Sequence, residues 1–432
     1  MKKRFIFILC GLFLCAGTIA ATDYNVLQQG VVGDGKTLNT QSLQSAIDAL
    51  HAKGGGQLYF PAGRYLTGSL QLKSNVTLYL EKEAVLLGST SPYDYPGFST
   101  EKELKVNNDH FDKALIYAEG AENIGITGEG CIDGQGRELA LTIDSLHHTG
   151  ELVDKHYNTY RKRPNTRPKL LFMRNCRKVE LRKTNFRSGA AWGLSFSLCV
   201  DLTIDSLHVE NRAYWNNDGI DISDCKDVRI SSCFINSADD GICLKSHNRG
   251  AWNDRVSISN CHIISSASAI KFGTESLGGF KNVTIDNIRI KDTFRSAIAI
   301  ESVDGVEIEN VKLENIEIVC PGRATRGMAY MSVSRLKDVP ENEKGYPEFT
   351  MFEELPSWGF YVRHVKGIQM HNVKLRLQED DFRPAFVFDR VSDVRLSDIS
   401  LPENKKAGQV VLRQTSLQSA DNAVKEYVRE VE

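Results

Sequence analysis

Residues 215–246 read WNNDGIDISDCKDVRISSCFINSADDGICLKS. The stretch holds two runs of one design, Asp218-Gly219-Ile220-Asp221-Ile222 and Asp240-Gly241-Ile242-Cys243-Leu244. Each is Asp-Gly-Ile followed by alternating apolar residues, so each Asp stands where a turn gives way to a strand. Between them Val228-Arg229-Ile230 alternates in the same way. Short strands follow one another here without a helix.

Working outward, both patterns recur. Trp192-Gly193-Leu194, Ser268-Ala269-Ile270 and Ser296-Ala297-Ile298 repeat the Asp-Gly-Ile position. Triplets starting at Val179, Leu202, Val228, Val256, Val283 and Val306 repeat the other strand, at steps of 23, 26, 28, 27 and 23 residues. Leucine-rich repeats have a similar period, but their LxxLxL signature and helical half are missing. Asn260, Asn282, Asn287 and Asn310 stand at corners. The pattern predicts an all-β chain, a right-handed parallel β-helix. Each coil buries its inward face only against its neighbours, and the open ends need covering.

The mature chain is expected to be one β-helical domain over residues 22–432. Residues 22–69 hold an N-terminal capping helix, Gln41 to His51, capped by Asn39-Thr40, with Leu43, Ala46, Ile47 and Leu50 on its apolar face. Ala420, Val424, Tyr427 and Val428, at helical spacing, predict a second cap within 416–432. The stretches 139–167 and 321–357 interrupt the repeats. Insertions in a solenoid become loops on one face, often the binding face.

Composition adds bounds. Of 432 residues, 53 are Lys or Arg and 55 Asp or Glu, so no basic field points to nucleic acid. Met1-Lys2-Lys3-Arg4, the apolar run Phe5 to Leu14 and the small residues up to Ala21 read as a cleaved signal peptide over 1–21. The run is shorter than the ~20 residues a span needs. A lipidated Cys15 is the competing reading, and the bulky Leu14 before it argues against that. A periplasmic or extracellular protein follows, monomeric and free of membrane after cleavage. Eight cysteines remain, with no metal-like spacing. Buried thiols acting as small hydrophobes are preferred to a disulfide framework, and neither metal nor cofactor is expected.

Asp-Gly before a strand is ordinary turn chemistry, with Gly at positive φ. Three features raise Asp218, Asp239 and Asp240 above that reading. Asp239-Asp240 is a costly carboxylate pair. Asp218 lies one repeat away, in the position of Asp240. Asn216, Asn217, Lys245, His247 and Arg249 surround them with groups suited to sugars and to charge balance. Two carboxyl groups with separated pKa values are the equipment of glycoside hydrolysis, and adjacent rungs about 4.8 Å apart could seat a water between acid and base.

These residues resemble the polygalacturonase-type pectin hydrolases, glycoside hydrolase family 28. The family pattern is Asn-x-Asp, then Asp-Asp, then Gly-His-Gly, then Arg-x-Lys. Asn216-Asn217-Asp218 and Asp239-Asp240 match the first two motifs. Gly273-Thr274-Glu275 with Gly278-Gly279 resembles the stretch after the histidine motif in bacterial members, and Gly33-Asp34-Gly35 and the Gly54 to Gly63 stretch resemble that superfamily's N-terminus. The resemblance implies an inverting hydrolase, with Asp239 as general acid and Asp218 and Asp240 positioning and deprotonating the water. The chain departs from the pattern at Ala267-Ser268-Ala269, where the histidine is missing. It departs again at Ser296 to Glu301, where Arg-x-Lys is missing and Glu301 brings the opposite charge. Lys271, Lys245, Arg249, Arg323 or Arg326 would have to replace the basic pair, and Glu275 shares a strand face with Lys271. The expected substrate is a pectic polysaccharide of galacturonide or rhamnogalacturonan type. Two alternatives stand beside it: a polysaccharide lyase using Ca²⁺ held by the aspartates, and a non-catalytic β-helical glycan-binding protein.

Overall fold

The computed structural model describes residues 22–97, 113–152, 167–323, 333–339, 355–402 and 408–432. Its strands pair in parallel and wind as a β-helix of three faces, here called sheets A, B and C. In the coil after Asp218, Ile220–Ser223 joins sheet A, Lys226–Ser231 sheet B and Phe234–Ser237 sheet C. The next coil repeats this with Ile242–Ser246, Asn253–Ser259 and His262–Ser265.

Period-two alternation accounts for the stacking. On sheet A, Leu194, Ile220, Ile242, Ile270, Ile298, Phe360 and Phe386 pair in one inward line. On sheet B, Val179, Leu202, Val228, Val256 and Val283 do the same. All are buried, and each such side chain contributes about 1.5–3 kcal/mol through loss of apolar surface from water. The expected frame is displaced once: Val283 pairs with Val311, and Val306 lies in the preceding turn. Val306-Glu307-Ile308 alternates as well as Val311-Lys312-Leu313 does, so pattern alone could not separate them.

The corner asparagines take the left-handed conformation, with φ of 54° at Asn260, 55° at Asn282, 52° at Asn287 and 56° at Asn310. Their amides also ladder between coils: Asn287 donates to Asn260 at 2.7 Å and Asn310 to Asn282 at 3.2 Å. Every cysteine among the described residues is free, and all but Cys131 are buried.

Helix α1, Thr40–Ala52, covers the first coil with Leu43, Ala46, Ile47 and Leu50 buried. Asn39 does not cap it through its side chain. Its amide instead binds Val32 N and O and Leu66 O, tying the first turn to the strand behind it. The C-terminal end is not closed by a helix. Leu417–Ala420 extends sheet B and Val428–Val431 extends sheet A, with only Asn422–Lys425 helical between them. Strand pairing there satisfies backbone groups that a helix would have left bare.

The long connections all run from sheet C to sheet A: 89–113, 134–168 and 321–357. The second holds helix α2, Gly136–Thr149, whose Leu139, Ala140 and Ile143 are buried. The third sends Val333–Asp338 back across sheet A. There Leu336, Val339 and Leu355 pack on Ala299, Tyr361, Val387 and Val411, the outward residues of the later coils. Sheet A is therefore divided. Its outer face carries polar groups from Lys169 to Lys271; from Ala299 onward this strap covers it, packing on an apolar line that runs beside a buried row of charged residues.

Candidate active site

The polar part of sheet A is built from register. Asp218 and Asp240 stand two residues before Ile220 and Ile242, which pair directly, so the two carboxylates occupy one position on adjacent rungs. The same position holds Trp192 one rung earlier and Ser268 one rung later. Asp221 projects from the next outward position, aligned with Cys243 and then Lys271.

The glycines after the aspartates do not serve a turn, since neither is at positive φ. A Cβ on Gly219 would lie 2.4 Å from Gly241 O, and one on Gly241 2.5 Å from Ala269 O. They are glycine because adjacent rungs close up beneath the carboxylates.

Hydroxyls and amides behind the site fix the backbone. Ser237 and Ser265 donate to Asp239 O at 2.8 and 2.7 Å. Asn211 donates to Asp218 O at 2.8 Å. Asn217 is fully buried, gives its amide hydrogens to Gly189 O and Ala191 O, and accepts from Tyr214 N. It shapes the loop and presents nothing to a substrate, which corrects its expected binding role. Asn216 sits at φ 54° and accepts from Arg167 at 3.1 Å. Buried Arg167 also binds Ala190 O and Trp215 O, so this one guanidinium pins the loop leading to Asp218.

Cations interleave with the acids. Lys245 Nζ is 3.0 Å from Asp221 Oδ1 and 3.5 Å from Asp218 Oδ2, and it lies 4.7 Å from the centre of the Trp192 ring. Lys271 Nζ is 3.5 Å from Asp240 Oδ2. Lys169, also buried, stands over the Phe172 and Trp192 rings. Burial lowers its pKa to about 8 against the pull of Asp221. Burial pushes Asp218 well above the usual carboxylate range; Asp221 adds to the rise and Lys245 opposes it. Asp239 is half-buried, and desolvation with the neighbouring Asp240 charge raises it to about 6, opposed by Arg295 and Lys271. A carboxyl group with that pKa keeps its proton in mildly acidic water and can donate it.

His247 and Glu275 meet at the rim, Nδ1 to Oε2 at 3.0 Å. Burial disfavours the imidazolium, but the Glu275 carboxylate outweighs it and raises the His247 pKa; burial likewise opposes, and His247 outweighs, in holding Glu275 below its usual value. Glu275 reaches the rim because the pairing slips between Leu244 and Ser246, which bulges residues 273–275 outward.

The other expected substrate contacts fall elsewhere. Glu301 is fully buried under the strap, in register with Arg363, because its rung is the first one covered. Arg323 is exposed and pairs with Glu379 at 2.9 Å, on the loop leading to a rung three beyond Asp240, about 14 Å away at 4.8 Å per rung. Arg249 lies exposed on the turn after Ser246, and Arg326 lies outside the described residues. Where the histidine motif is missing, Ser268 is fully buried and its backbone N–H donates to Asp240 Oδ1 at 3.2 Å. Sequence reasoning missed Lys169, Asp221, Arg167 and Arg295. Extending the Leu194 register one rung back to Leu171 would have aligned Lys169 with Trp192 and Asp218.

The fold and this cluster define a β-helical protein with carboxylates and lysines gathered on one face. Residues 56–320 match the model of the glycosyl hydrolases family 28, and the chain belongs to that family. The "Probable polygalacturonase" of Vitis vinifera is 30% identical over 299 residues, 65% of this chain and 55% of its own length. An exo-poly-alpha-D-galacturonosidase of Dickeya chrysanthemi is 27% identical over 248 residues, 50% of this chain and 41% of its own length. The chain thus spans about half the length of these curated relatives. Among solved structures, a family 28 exopolygalacturonase of Yersinia enterocolitica is similar at TM-score 0.67 and 21% identity, covering 95% of this chain and 77% of that one. The surface adhesin PfbA of Streptococcus pneumoniae is similar at TM-score 0.56 and 15% identity, covering 92% and 87%. Resemblance at that level concerns the β-helix alone.

Proposed function

We propose that the protein hydrolyses a pectic poly- or oligosaccharide with inversion at the anomeric carbon. The observation that carries this is the alignment of Asp218 and Asp240 on adjacent rungs, with Asp239 beside them held protonated up to about pH 6. Asp239 donates its proton to the glycosidic oxygen. Asp218 and Asp240 hold a water on the opposite face of the sugar and take its proton as it attacks. Lys245 and Lys271 balance the ionised carboxylates and offer cationic contacts to an acidic sugar.

The sugar at the cleaved bond is read as a uronide, or as a neighbour of one, because lysines line the polar floor of sheet A. Attack from the chain end is the favoured mode. Among the described residues the polar floor stops at the strap, two rungs beyond Asp240, which supports that mode. The names of the Dickeya and Yersinia relatives agree with that mode. Export is part of the proposal and rests on the signal-like residues 1–21.

Incubation with polygalacturonan, rhamnogalacturonan and their oligomers tests the reading, followed by reducing-end release and ultraviolet absorbance. Hydrolysis raises reducing ends without absorbance, and single sugars or disaccharides should dominate early products. Unsaturated, absorbing products would replace the reading with a lyase. Binding without cleavage would replace it with a lectin-like protein. Asp239→Asn should remove nearly all turnover while leaving the melting transition in place.

A further inference from the structure

We propose that Asp221 and Lys245 are a positioning pair that sets the charge of Asp218 from opposite sides. Lys245 draws Asp218 toward its ionised form, and Asp221 holds Lys245 back from doing so outright. The inference rests on Asp218 being one of the two water-activating groups.

The geometry is that of a shared cation. Lys245 Nζ lies closer to Asp221, at 3.0 Å, than to Asp218, at 3.5 Å. All three side chains are nearly buried: Asp221 is 1% exposed, Asp218 3% and Lys245 3%. Lys245 also approaches Cys243 Sγ at 3.2 Å and the Trp192 ring, so its ammonium is held from several directions. Neither Asp221 oxygen makes a hydrogen bond among the described residues. A buried carboxylate without one is costly unless a cation compensates it; Lys245 lies at 3.0 Å, and Lys169 faces the same carboxylate from the other side of the cluster. Asp221 stands in the strand that Asp218 leads into, one rung from Lys245, so it can divert the ammonium without touching the water-activating face.

Other charged groups facing Asp218 are Asp239 and Asp240 from the next coil, with Lys169 from two rungs earlier. These remain in place in either variant below. Removing Lys245 leaves Asp218 facing only acids from its own and the next coil. Removing the Asp221 charge takes away a repulsion and frees the whole ammonium for Asp218. The two changes therefore act on Asp218 in opposite directions. A merely structural pair would behave alike in both variants, because each loses the same ion pair.

The test titrates the carboxyl carbons of ¹³C-labelled aspartates in the full chain, in wild type, Asp221→Asn and Lys245→Met. Asp218 is assigned by its loss in Asp218→Asn. The proposal expects the Asp218 titration to move to lower pH in Asp221→Asn and to higher pH in Lys245→Met, each by about one to three units. Lys245→Arg keeps the charge and should stay near wild type. On the substrate that wild type cleaves, the acid-side limb of the kcat/KM profile should follow the same two displacements. Shifts of one sign in both variants, or none in either, overturn the proposal. If Lys245→Met does not fold, an Asp218 titration in Asp221→Asn that stays put or rises overturns it alone. Because the titration needs no turnover, a wild type inactive on every pectic substrate would defeat the functional reading while the charge relation is still decided.

Discussion

Beneath the strap, sheet A carries a row of alternating charge that offers a sharp test of the architecture. Glu301, Arg363, Asp389 and Arg413 occupy one position on successive rungs. Arg363 and Asp389 are fully buried and 2.6 Å apart; Arg413, nearly buried, is 2.8 Å from the other Asp389 oxygen. Asp389→Asn keeps the shape and removes the charge. It leaves two guanidinium groups in a site that water barely reaches, and breaking a buried pair from one side costs about 3–5 kcal/mol. Urea unfolding followed by tryptophan fluorescence would read the loss as a lower midpoint, with the slope checking whether the transition remains cooperative. Arg363 also reaches Val339 O at 3.4 Å, so the strap should loosen and become sensitive to protease before the coils unfold. The combined replacement Arg363→Met, Asp389→Leu, Arg413→Met should recover most of the stability, since apolar packing of similar volume matches a buried ion network. A loss below about 1 kcal/mol in Asp389→Asn would refute the reasoning, because the site would then be wet or the guanidinium groups compensated elsewhere.

Two further outcomes follow from the site. Activity should fall as pH rises through about 6, because Asp239 must hold its proton to donate it and loses it there; a kcat/KM profile flat to pH 8 would contradict the assignment. Gly241→Ala should cost about 1–3 kcal/mol, because its Cβ meets Ala269 O at 2.5 Å and Ile263 Cγ2 at 2.6 Å. By parting the Asp240 rung from the next it should also lower turnover more than a distant core change of equal cost, which thermal melts paired with initial rates would separate.

The coils were legible because their period lies in the sequence itself. Ile220, Ile242, Ile270 and Ile298 repeat the same inward position, and Asp-Gly-Ile marks it twice. Reading the carboxylates as a pair needed only that register. The lysines were harder. Lys245 and Lys271 were visible as candidates, but Lys169 opens a strand whose next four residues are apolar, and nothing local distinguishes it from a snorkelling surface lysine. Asp221 looked like an ordinary polar residue of an alternating strand; its burial goes with side chains from neighbouring rungs, Lys245 among them. Glu301 and Asn217 failed in the opposite sense. Their chemistry suited a sugar, yet one is covered by the strap and the other spends its amide on the loop. Coverage by a distant insertion, and the choice between two equally good frames at Val306 and Val311, are tertiary matters that no local pattern contains.

The central claim is hydrolysis by Asp239 as acid with a water activated from the opposite face by Asp218 and Asp240. Proton NMR of the first minutes of cleavage of a pectic oligosaccharide measures it most directly, before mutarotation mixes the anomers. The account predicts that the newly released reducing sugar appears first with the anomeric configuration opposite to that of the bond cleaved. Release with the original configuration would mean a covalent glycosyl-enzyme intermediate on one of these carboxylates, and would contradict it.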